Sequence, residues 1–194
     1  DVTSDEARDK AFAEVAKAFG RIDFLVHAIA YADKSQISGS FVENTTREGF
    51  MLAMNISAYS FVDVSRRAAR LMNEGGSIIC LTYLGSERTI PNYNMMGVAT
   101  AALEASTRYI ASDLGPSKIR VNAISAGAIK TASARAVTDL TKMLDSFAEF
   151  APLRRNTDPA EVADTAVFLG SDLGRGVTGN IIFVDAGYQI LGLI

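Results

Sequence analysis

The sequence of 194 residues contains only one cysteine and one histidine. Cys80 lies within the apolar run SIICLTY, so an intrachain disulfide is excluded and a buried, unreactive thiol is expected. With His27 as the sole histidine, neither a catalytic pair of histidines nor a histidine-rich metal site can form. Because His27 lies within an apolar segment, we expect a structural role for it. The acidic residues lack the spacing of metal ligands, so no metal site is predicted.

The sequence also lacks a long hydrophobic run and a concentration of positive charge. No stretch approaches the roughly 18 apolar residues that a membrane span needs, and the N-terminus does not have the layout of a signal peptide. The net charge is −3, the isoelectric point is near 5.2, and the basic residues are scattered. These features argue against a nucleic-acid or membrane-surface partner and predict a cytoplasmic protein.

Four short apolar runs, rich in β-branched residues, predict strands that are buried on both faces. They are Phe24–Ile29, Ser77–Thr82, Arg120–Ile124 and Asn180–Val184. Segments with helical spacing separate these runs. Strands that alternate with crossover helices predict an α/β fold with a doubly wound parallel sheet and helices on both of its faces. The length, and the absence of repeats and linkers, predict one domain.

Residues that favour helix ends mark the predicted helices. The predictions are a helix from Thr3 or Ser4 to Phe19, one from about Arg47 to Leu71 with a break near Ser57, one from Tyr93 to about Gly115, and one from Asp158 through Phe168. The helix that starts at Tyr93 is apolar nearly all round, which predicts burial under the sheet or against another subunit. The segment from Ala132 to Phe150 has helical spacing and fits either a mobile lid or an ordinary surface helix.

The loops that follow the first three strands are expected to form a ligand crevice, because ligands bind at the carboxyl ends of parallel strands. Their sequences are AIAYA, TYLGS and SAGAIKT. Glycine and alanine dominate them, which allows a flat or extended ligand to approach the backbone closely. Met95, Met96 and Met143 fit either the border of an apolar pocket or the core, and core packing is favoured.

The order of the segments DV, FLVHAIAYA, GSIICLTYLG, PNYNMMG, IRVNAISAGAIKT and GNIIFVDAGY resembles the short-chain dehydrogenase/reductase superfamily. Within it, the sequence is most similar to the enoyl-[acyl-carrier-protein] reductases of bacterial fatty-acid synthesis. The resemblance covers essentially all 194 residues and implies one Rossmann-like domain. It begins partway into the family's domain, so about the first quarter of a typical member is expected to precede Asp1, including the glycine-rich pyrophosphate turn.

Two features select the enoyl reductases over the ketoreductases of the superfamily. Tyr83 stands after the second strand where ketoreductases usually have serine, and Tyr93 follows ten residues later. Ala28 to Ala30 read AIA, near the SIG type of the enoyl reductases and unlike the usual NAG. The resemblance implies that Tyr93 donates a hydrogen bond to the thioester oxygen and that Tyr83 lines the acyl pocket or positions the substrate.

The resemblance also implies a nicotinamide dinucleotide cofactor, NADH or NADPH, and assigns residues to it. Asp1 and Val2 match positions that hold the adenine, and Ala28, Ile29 and Ala30 match positions beside the two riboses. Ile129 is expected to meet the carboxamide through its backbone, and Thr131 to donate to the pyrophosphate. The implied substrate is an enoyl thioester linked to acyl carrier protein or to coenzyme A, and the implied assembly is a homotetramer.

Thr100 departs from the family pattern, which has a lysine seven residues after the tyrosine. That lysine holds the nicotinamide ribose and lowers the pKa of the tyrosine by its charge, and a neutral threonine is too short for a direct contact. Three interpretations therefore remain open: an active enoyl reductase, a catalytically impaired or non-catalytic relative, and, with less support, a short-chain ketoreductase.

Overall fold

Four parallel strands form the sheet in a computed structural model that describes residues 1–130 and 140–192. The strands are β1 (Phe24–His27), β2 (Gly76–Thr82), β3 (Ile119–Ala126) and β4 (Ile181–Val184), and they lie side by side in that order. His27 pairs with Cys80, Thr82 with Ser125, and Ala126 with Val184. The predicted α/β class with a parallel sheet is confirmed.

Helices connect the strands and cover both faces of the sheet. They are α1 (Asp5–Phe19), α2 (Lys34–Ile37), α3 (Phe41–Asn44), α4 (Arg47–Met54), α5 (Ser60–Ala69), α6 (Asn94–Leu114), α7 (Leu140–Phe150) and α8 (Pro159–Gly170). Short 3₁₀ turns span Leu84–Ser86, Gly115–Ser117, Asp172–Gly174 and Tyr188–Ile190. No helix within the described ranges is long and apolar enough to cross a membrane.

The helix ends follow from local side-chain chemistry. The Ser4 hydroxyl accepts from the Ala7 N–H at the start of α1, and Gly20 ends this helix with a φ of +72°. Asp158 and Glu161 form a reciprocal capping box at the start of α8. These contacts satisfy backbone donors that lack partners in the first helical turn, so the helix boundaries are encoded locally.

A π-helix, Asn55–Tyr59, joins α4 to α5 where the sequence predicts a break. It contains Ser57, which is almost fully buried. A π-helix inserts an extra residue into a helix and is frequent at functional sites. The predicted break near Ser57 is therefore a change of phase between two α-helices, and α5 ends at Ala69, two residues before the predicted Leu71.

Two apolar clusters fill the space between the sheet and its helices. On one face, Phe61 of α5 and Leu103 of α6 pack with Ile78 and Val121 of the sheet. On the other face, Val162 and Leu169 of α8 pack with Ile79 and Ile124. Neighbouring residues of β2 thus point to opposite faces, and both sides of the strand are buried.

A buried carboxylate fastens α1 to α5. Asp63 of α5 is almost fully buried and forms ion pairs with Arg8 of α1 and with Arg66 and Arg67 of its own helix. Arg67 also pairs with Asp9 of α1 at 2.7 Å. Burial raises the pKa of Asp63, but hydrogen bonds from Arg67 and Arg66 and the charges of Arg8 and Arg67 outweigh it and lower the pKa.

The Asp63→Asn variant tests this network. We expect it to lower the free energy of unfolding by about 3 kcal/mol, because it removes the buried counter-charge that Arg8 and Arg67 share. The stabilisation by Asp63 is fully present above its unfolded pKa of about 3.9 and is lost as the pH falls through its lower folded pKa. Urea unfolding at fixed protein concentration, at neutral and acidic pH, measures both effects.

Asp23→Asn is the matched control, because Asp23 pairs with Arg21 at the surface. An exposed pair contributes at most about 1 kcal/mol, so this variant should unfold almost as the unmodified protein does. An equally small effect of Asp63→Asn would show that the buried network does not hold α1 in place.

Candidate active site

The loops that follow β1, β2 and β3 share one edge of the sheet, because the strands are parallel. Ala28 to Ala30 leave β1 with exposed side chains, Tyr83 follows β2, and Gly127 to Ile129 follow β3. β1 ends two residues before the predicted Ile29, since Ala28 and Ile29 turn away from the sheet into this edge. The segment 28–30 thus places small or apolar side chains, exposed to solvent, at this edge of the sheet.

Tyr83 and Tyr93 lie in contact at this edge. Their ring centroids are 4.9 Å apart and the rings meet edge to face, at an interplanar angle of 68°. Tyr93 directly precedes α6, and its ring lies over Gly85 of the turn after β2. A Cβ on Gly85 would stand 2.3 Å from Cδ1 of Tyr93, so only glycine fits there. Contact with the backbone of the turn Leu84–Ser86 therefore limits the orientation of the Tyr93 ring.

Both phenols are held in the protonated form. Burial raises the pKa of Tyr83, and the nearby Tyr188 and Asp185 add to this effect. Burial also raises the pKa of Tyr93, with further contributions from Tyr83 and Glu104 and an opposing contribution from the nearby Thr100 hydroxyl. A protonated phenol is a hydrogen-bond donor, so the pair suits stabilisation of a negative oxygen.

Thr100 is buried and its hydroxyl is used within α6. The hydroxyl lies 2.8 Å from the Met96 carbonyl oxygen and 3.1 Å from that of Gly97, and both carbonyls are placed to accept from it. A side chain with this arrangement satisfies its own polar group without leaving the helix. The position where the family pattern leads us to expect a lysine therefore holds no positive charge here.

The loop after β1 is tied to the π-helix by one side chain. The Tyr31 N–H donates to Oγ of Ser57 at 2.9 Å, and the Ser57 hydroxyl donates back to the Tyr31 carbonyl at 3.0 Å. Ser57 thereby fixes the end of the segment from Ala28 to Ala30. The sequence indicated a helix break near Ser57 but not this contact, because the partners are 26 residues apart.

The remaining predicted cofactor residues have varied surroundings. The Asp1 carboxylate accepts from the backbone N–H and the hydroxyl of Thr3, and both distances are 2.8 Å. The Val2 carbonyl accepts from Arg8. Ile129 is partly exposed after β3, whereas Thr131 lies outside the described residues. The structure thus brings together the predicted residues after β1, β2 and β3, whereas Asp1 and Val2 make only local contacts with Thr3 and Arg8.

The chain is similar to known proteins over almost its whole length. A family model described as enoyl-(acyl carrier protein) reductase matches residues 1–189. The chain belongs to the enoyl-(acyl carrier protein) reductase family. It is 55% identical over 192 residues to the enoyl-[acyl-carrier-protein] reductase [NADH] of Bacillus cereus, covering 99% of this chain and 75% of that protein. The Rickettsia bellii enzyme of the same name is 50% identical, with 99% and 73% covered.

Solved structures of enoyl reductases share the fold. The Bacillus cereus enoyl-acyl carrier protein reductase with NADP⁺ and indole naphthyridinone has a TM-score of 0.97 at 55% identity, covering 100% of this chain and 75% of that one. The Anaplasma phagocytophilum enzyme in complex with NAD has a TM-score of 0.95 at 45% identity, with 100% and 73% covered. The chain therefore spans about three quarters of these enoyl reductases.

Helix α7 borders the tyrosine pair of this family member. The Tyr83 hydroxyl donates to Sδ of Met143 at 3.6 Å. Phe147 of the same helix stacks on Tyr188, with ring centroids 3.7 Å apart and an interplanar angle of 12°. Met143 is thus a candidate pocket residue, whereas Met95 and Met96 are buried in α6, as the favoured core interpretation predicts.

His27 is buried beside the site. The Ser60 hydroxyl donates to the Ile56 carbonyl at 2.6 Å, so Nε2 of His27, 2.8 Å from Ser60, is the donor to that hydroxyl. Burial lowers the pKa of His27 to about 4, which keeps the ring neutral. Nδ1 has no hydrogen-bond partner within residues 1–130 and 140–192. His27 is therefore a packed, half-satisfied side chain, close to the structural role expected for it.

Gly85→Ala tests whether the turn backbone orients the tyrosine pair. The added methyl group overlaps the Tyr93 ring, so we expect a loss of about 1–3 kcal/mol in the free energy of unfolding. The near-ultraviolet circular dichroism should also change, and it reports mainly the tyrosines because the chain has no tryptophan. Gly176→Ala is the control, since a Cβ there meets nothing within 4 Å beyond its chain neighbours and its φ is not positive. Equal spectra and stabilities for the two variants would contradict the tight contact.

Proposed function

We propose that the protein reduces the 2,3 double bond of a trans-2-enoyl thioester with NADH or NADPH, in type II fatty-acid synthesis. The observation that carries this proposal is the pair Tyr83 and Tyr93, in edge-to-face contact at the carboxyl edge of a parallel sheet. Membership of the enoyl reductase family supports it, as do the names of the Bacillus cereus and Rickettsia bellii relatives.

The chemistry requires a donor at the thioester oxygen. Hydride addition to the β-carbon moves the electrons of the double bond towards the thioester, so an enolate oxygen gains negative charge. The Tyr93 hydroxyl, protonated because its pKa is raised mainly by burial, donates a hydrogen bond to that oxygen. A proton then adds to the α-carbon, which regenerates the thioester carbonyl. Tyr83, in contact with Met143, lines the acyl pocket.

The residues at the sheet edge fit a dinucleotide. Ala28 and Ala30 expose small side chains after β1, which leaves the backbone there open to a flat ligand. When bound, the nicotinamide supplies the hydride. We assign Ala28, Ile29 and Ala30 to the riboses and the Ile129 backbone to the carboxamide. Asp1 and Val2 are assigned to the adenine, Thr131 to the pyrophosphate, and Thr100 to the position beside the nicotinamide ribose.

We propose a cytoplasmic homotetramer built from one domain over residues 1–194. The support for assembly is an open apolar groove between α4, the π-helix, α5 and α6, which includes Met51, Tyr59 and Val62. Each of these three side chains is at least 40% exposed. Exposed apolar patches of this kind mark protein interfaces, and a second copy of the chain is the partner we propose.

Cys80 is buried, as expected of an unreactive thiol.

A catalytically impaired relative is the second candidate function, and Thr100 is the observation that favours it. Its hydroxyl is bonded within α6, so no cation faces the ribose hydroxyls or lowers the pKa of Tyr93 from this position. Hydrogen bonds to a charged group contribute about 1.5–3 kcal/mol, so loss of the lysine weakens cofactor binding and turnover by tenfold or more. The fold and assembly surfaces stay unchanged in such a relative.

Tyr93→Phe tests the proposed donor. We expect kcat with crotonyl thioester and NADH to fall by about 10²–10³, because one donor to the developing oxyanion is removed. The KM for NADH should change little. Loss of NADH absorbance measures the rate.

Tyr109→Phe is the matched control, because Tyr109 lies exposed on the same helix and should retain full activity. Turnover by Tyr93→Phe equal to that of this control would contradict the role of Tyr93.

Thr100→Lys separates the two candidate functions. If the chain is impaired at this position, a lysine that reaches the ribose should raise kcat/KM for NADH by about tenfold or more. The same absorbance assay and a cofactor-binding titration measure the gain. Thr100→Met controls for length, since methionine is long and flexible but uncharged.

An equal gain in the lysine and methionine variants would exclude the charge as the cause. Turnover of the unmodified protein at an enzyme-like rate would show that the impaired interpretation is wrong.

A further inference from the structure

Glu104 is a buried acidic side chain of α6 that the proposed reaction does not use. It lies eleven residues after Tyr93 and is 6% exposed. One of its oxygens, Oε1, accepts from the Thr82 hydroxyl at 2.7 Å and from the Ser86 hydroxyl at 2.5 Å. Both hydroxyls are therefore placed to donate to the same carboxylate oxygen.

The two donors stand on either side of Tyr83. Thr82 is the last residue of β2, and Ser86 is the last residue of the following 3₁₀ turn. The Ser86 N–H also donates to the Tyr83 carbonyl at 3.0 Å, which closes the turn. The single carboxylate therefore joins both ends of the segment 82–86 to one point on α6.

The same segment determines the surroundings of Tyr93. Gly85 lies within the segment 82–86, and its backbone contacts the Tyr93 ring. Gly97 of α6 packs on the Gly85 carbonyl. A Cβ on Gly97 would stand 2.7 Å from that oxygen. A shift of the turn away from α6 would thus move Tyr83 directly and open the space against which Tyr93 packs.

We propose that Glu104 is a positioning residue for enoyl reduction: its carboxylate holds the turn 82–86 on α6 and so fixes the relative orientation of Tyr83 and Tyr93. The catalytic consequence rests on the proposed function above. The orientation of the two tyrosines does not depend on it and is measurable by itself. The charge of Glu104 also adds to burial and to Tyr83 in raising the pKa of Tyr93, which keeps this hydroxyl protonated.

Glu104→Gln is the first test, because glutamine keeps the shape and one acceptor oxygen while it removes the charge. We expect kcat to fall about tenfold or more, as for the loss of a hydrogen bond to a charged group, with the KM for NADH little changed. The direct readout is the NMR spectrum of protein with ¹³C-labelled tyrosine rings. The signals of Tyr83 and Tyr93, assigned from tyrosine-to-phenylalanine variants, should move, and those of Tyr31, Tyr59 and Tyr109 should stay.

Two controls separate positioning from a general loss of stability. Thr107→Val removes a buried hydroxyl of the same helix that contacts Cys80 of β2 but not the turn 82–86. Asp113→Asn changes an exposed carboxylate of the same helix to an amide. Both should leave kcat and the signals of Tyr83 and Tyr93 unchanged. If Thr107→Val lowers kcat as much as Glu104→Gln at equal loss of stability, Glu104 is merely structural and the proposal is wrong.

Removal of the two donors gives an independent test. In the double variant Thr82→Val with Ser86→Ala, a further change of Glu104 to glutamine should no longer move the Tyr83 signal, because the carboxylate has lost its partners in the turn. A persisting effect would overturn the proposed route through the turn. If Glu104→Gln fails to fold, Ser86→Ala alone serves as the test. Ser86 is half-buried, and its replacement should shift the signals of Tyr83 and Tyr93.

The two proposals fail in different ways. Absence of turnover by the unmodified protein and by Thr100→Lys would reject the proposed function, whereas the tyrosine spectra would still decide the role of Glu104. Unmoved signals of Tyr83 and Tyr93 in a folded Glu104→Gln protein would reject the positioning role, whatever the activity.

Discussion

The close contact between the turn Leu84–Ser86 and helix α6 is the constraint on which the candidate site depends. The backbones meet at Gly85 and Gly97, with no room for a Cβ on either residue. This contact puts Tyr93 over the turn and leaves its ring edge-to-face with Tyr83. The geometry of the two phenols is therefore a consequence of backbone packing, and side-chain hydrogen bonds reinforce it.

The loop that leaves β1 is also held by a side chain on a helix. Ser57, in the π-helix, binds both backbone groups of Tyr31 and so fixes the loop that leaves β1. In each case one buried polar side chain on a helix orders a loop at the carboxyl edge of the sheet. Buried polar contacts of this kind are costly if a partner is missing, so they select one arrangement of the loop.

The fold of this protein does not depend on a lysine at position 100. Its hydroxyl is satisfied within α6 and its side chain is buried, so the helix packs well without a lysine. Most of the stability of a domain comes from burial and from satisfied hydrogen bonds, and neither requires a cation at this position. Membership of the family is therefore shown by the whole chain and does not require a lysine at this position.

The sequence by itself determined the features that rest on local chemistry. Apolar runs and helix caps marked the four strands and most helix boundaries, the spacing of Tyr83 and Tyr93 indicated the family, and Ser57 marked the break in the helix. Strand ends were less accurate, because β1 stops where its residues lose their pairing partner.

Only the tertiary structure decided which distant residues meet. Glu104 bonds to residues 18 and 22 positions away, and Ser57 to one 26 positions away. No periodicity in the sequence reports such contacts, because they arise from the register of parallel strands and from the depth at which α6 packs on the sheet. The direction of the Thr100 hydroxyl was likewise fixed by burial, which left its own helix as the available acceptor.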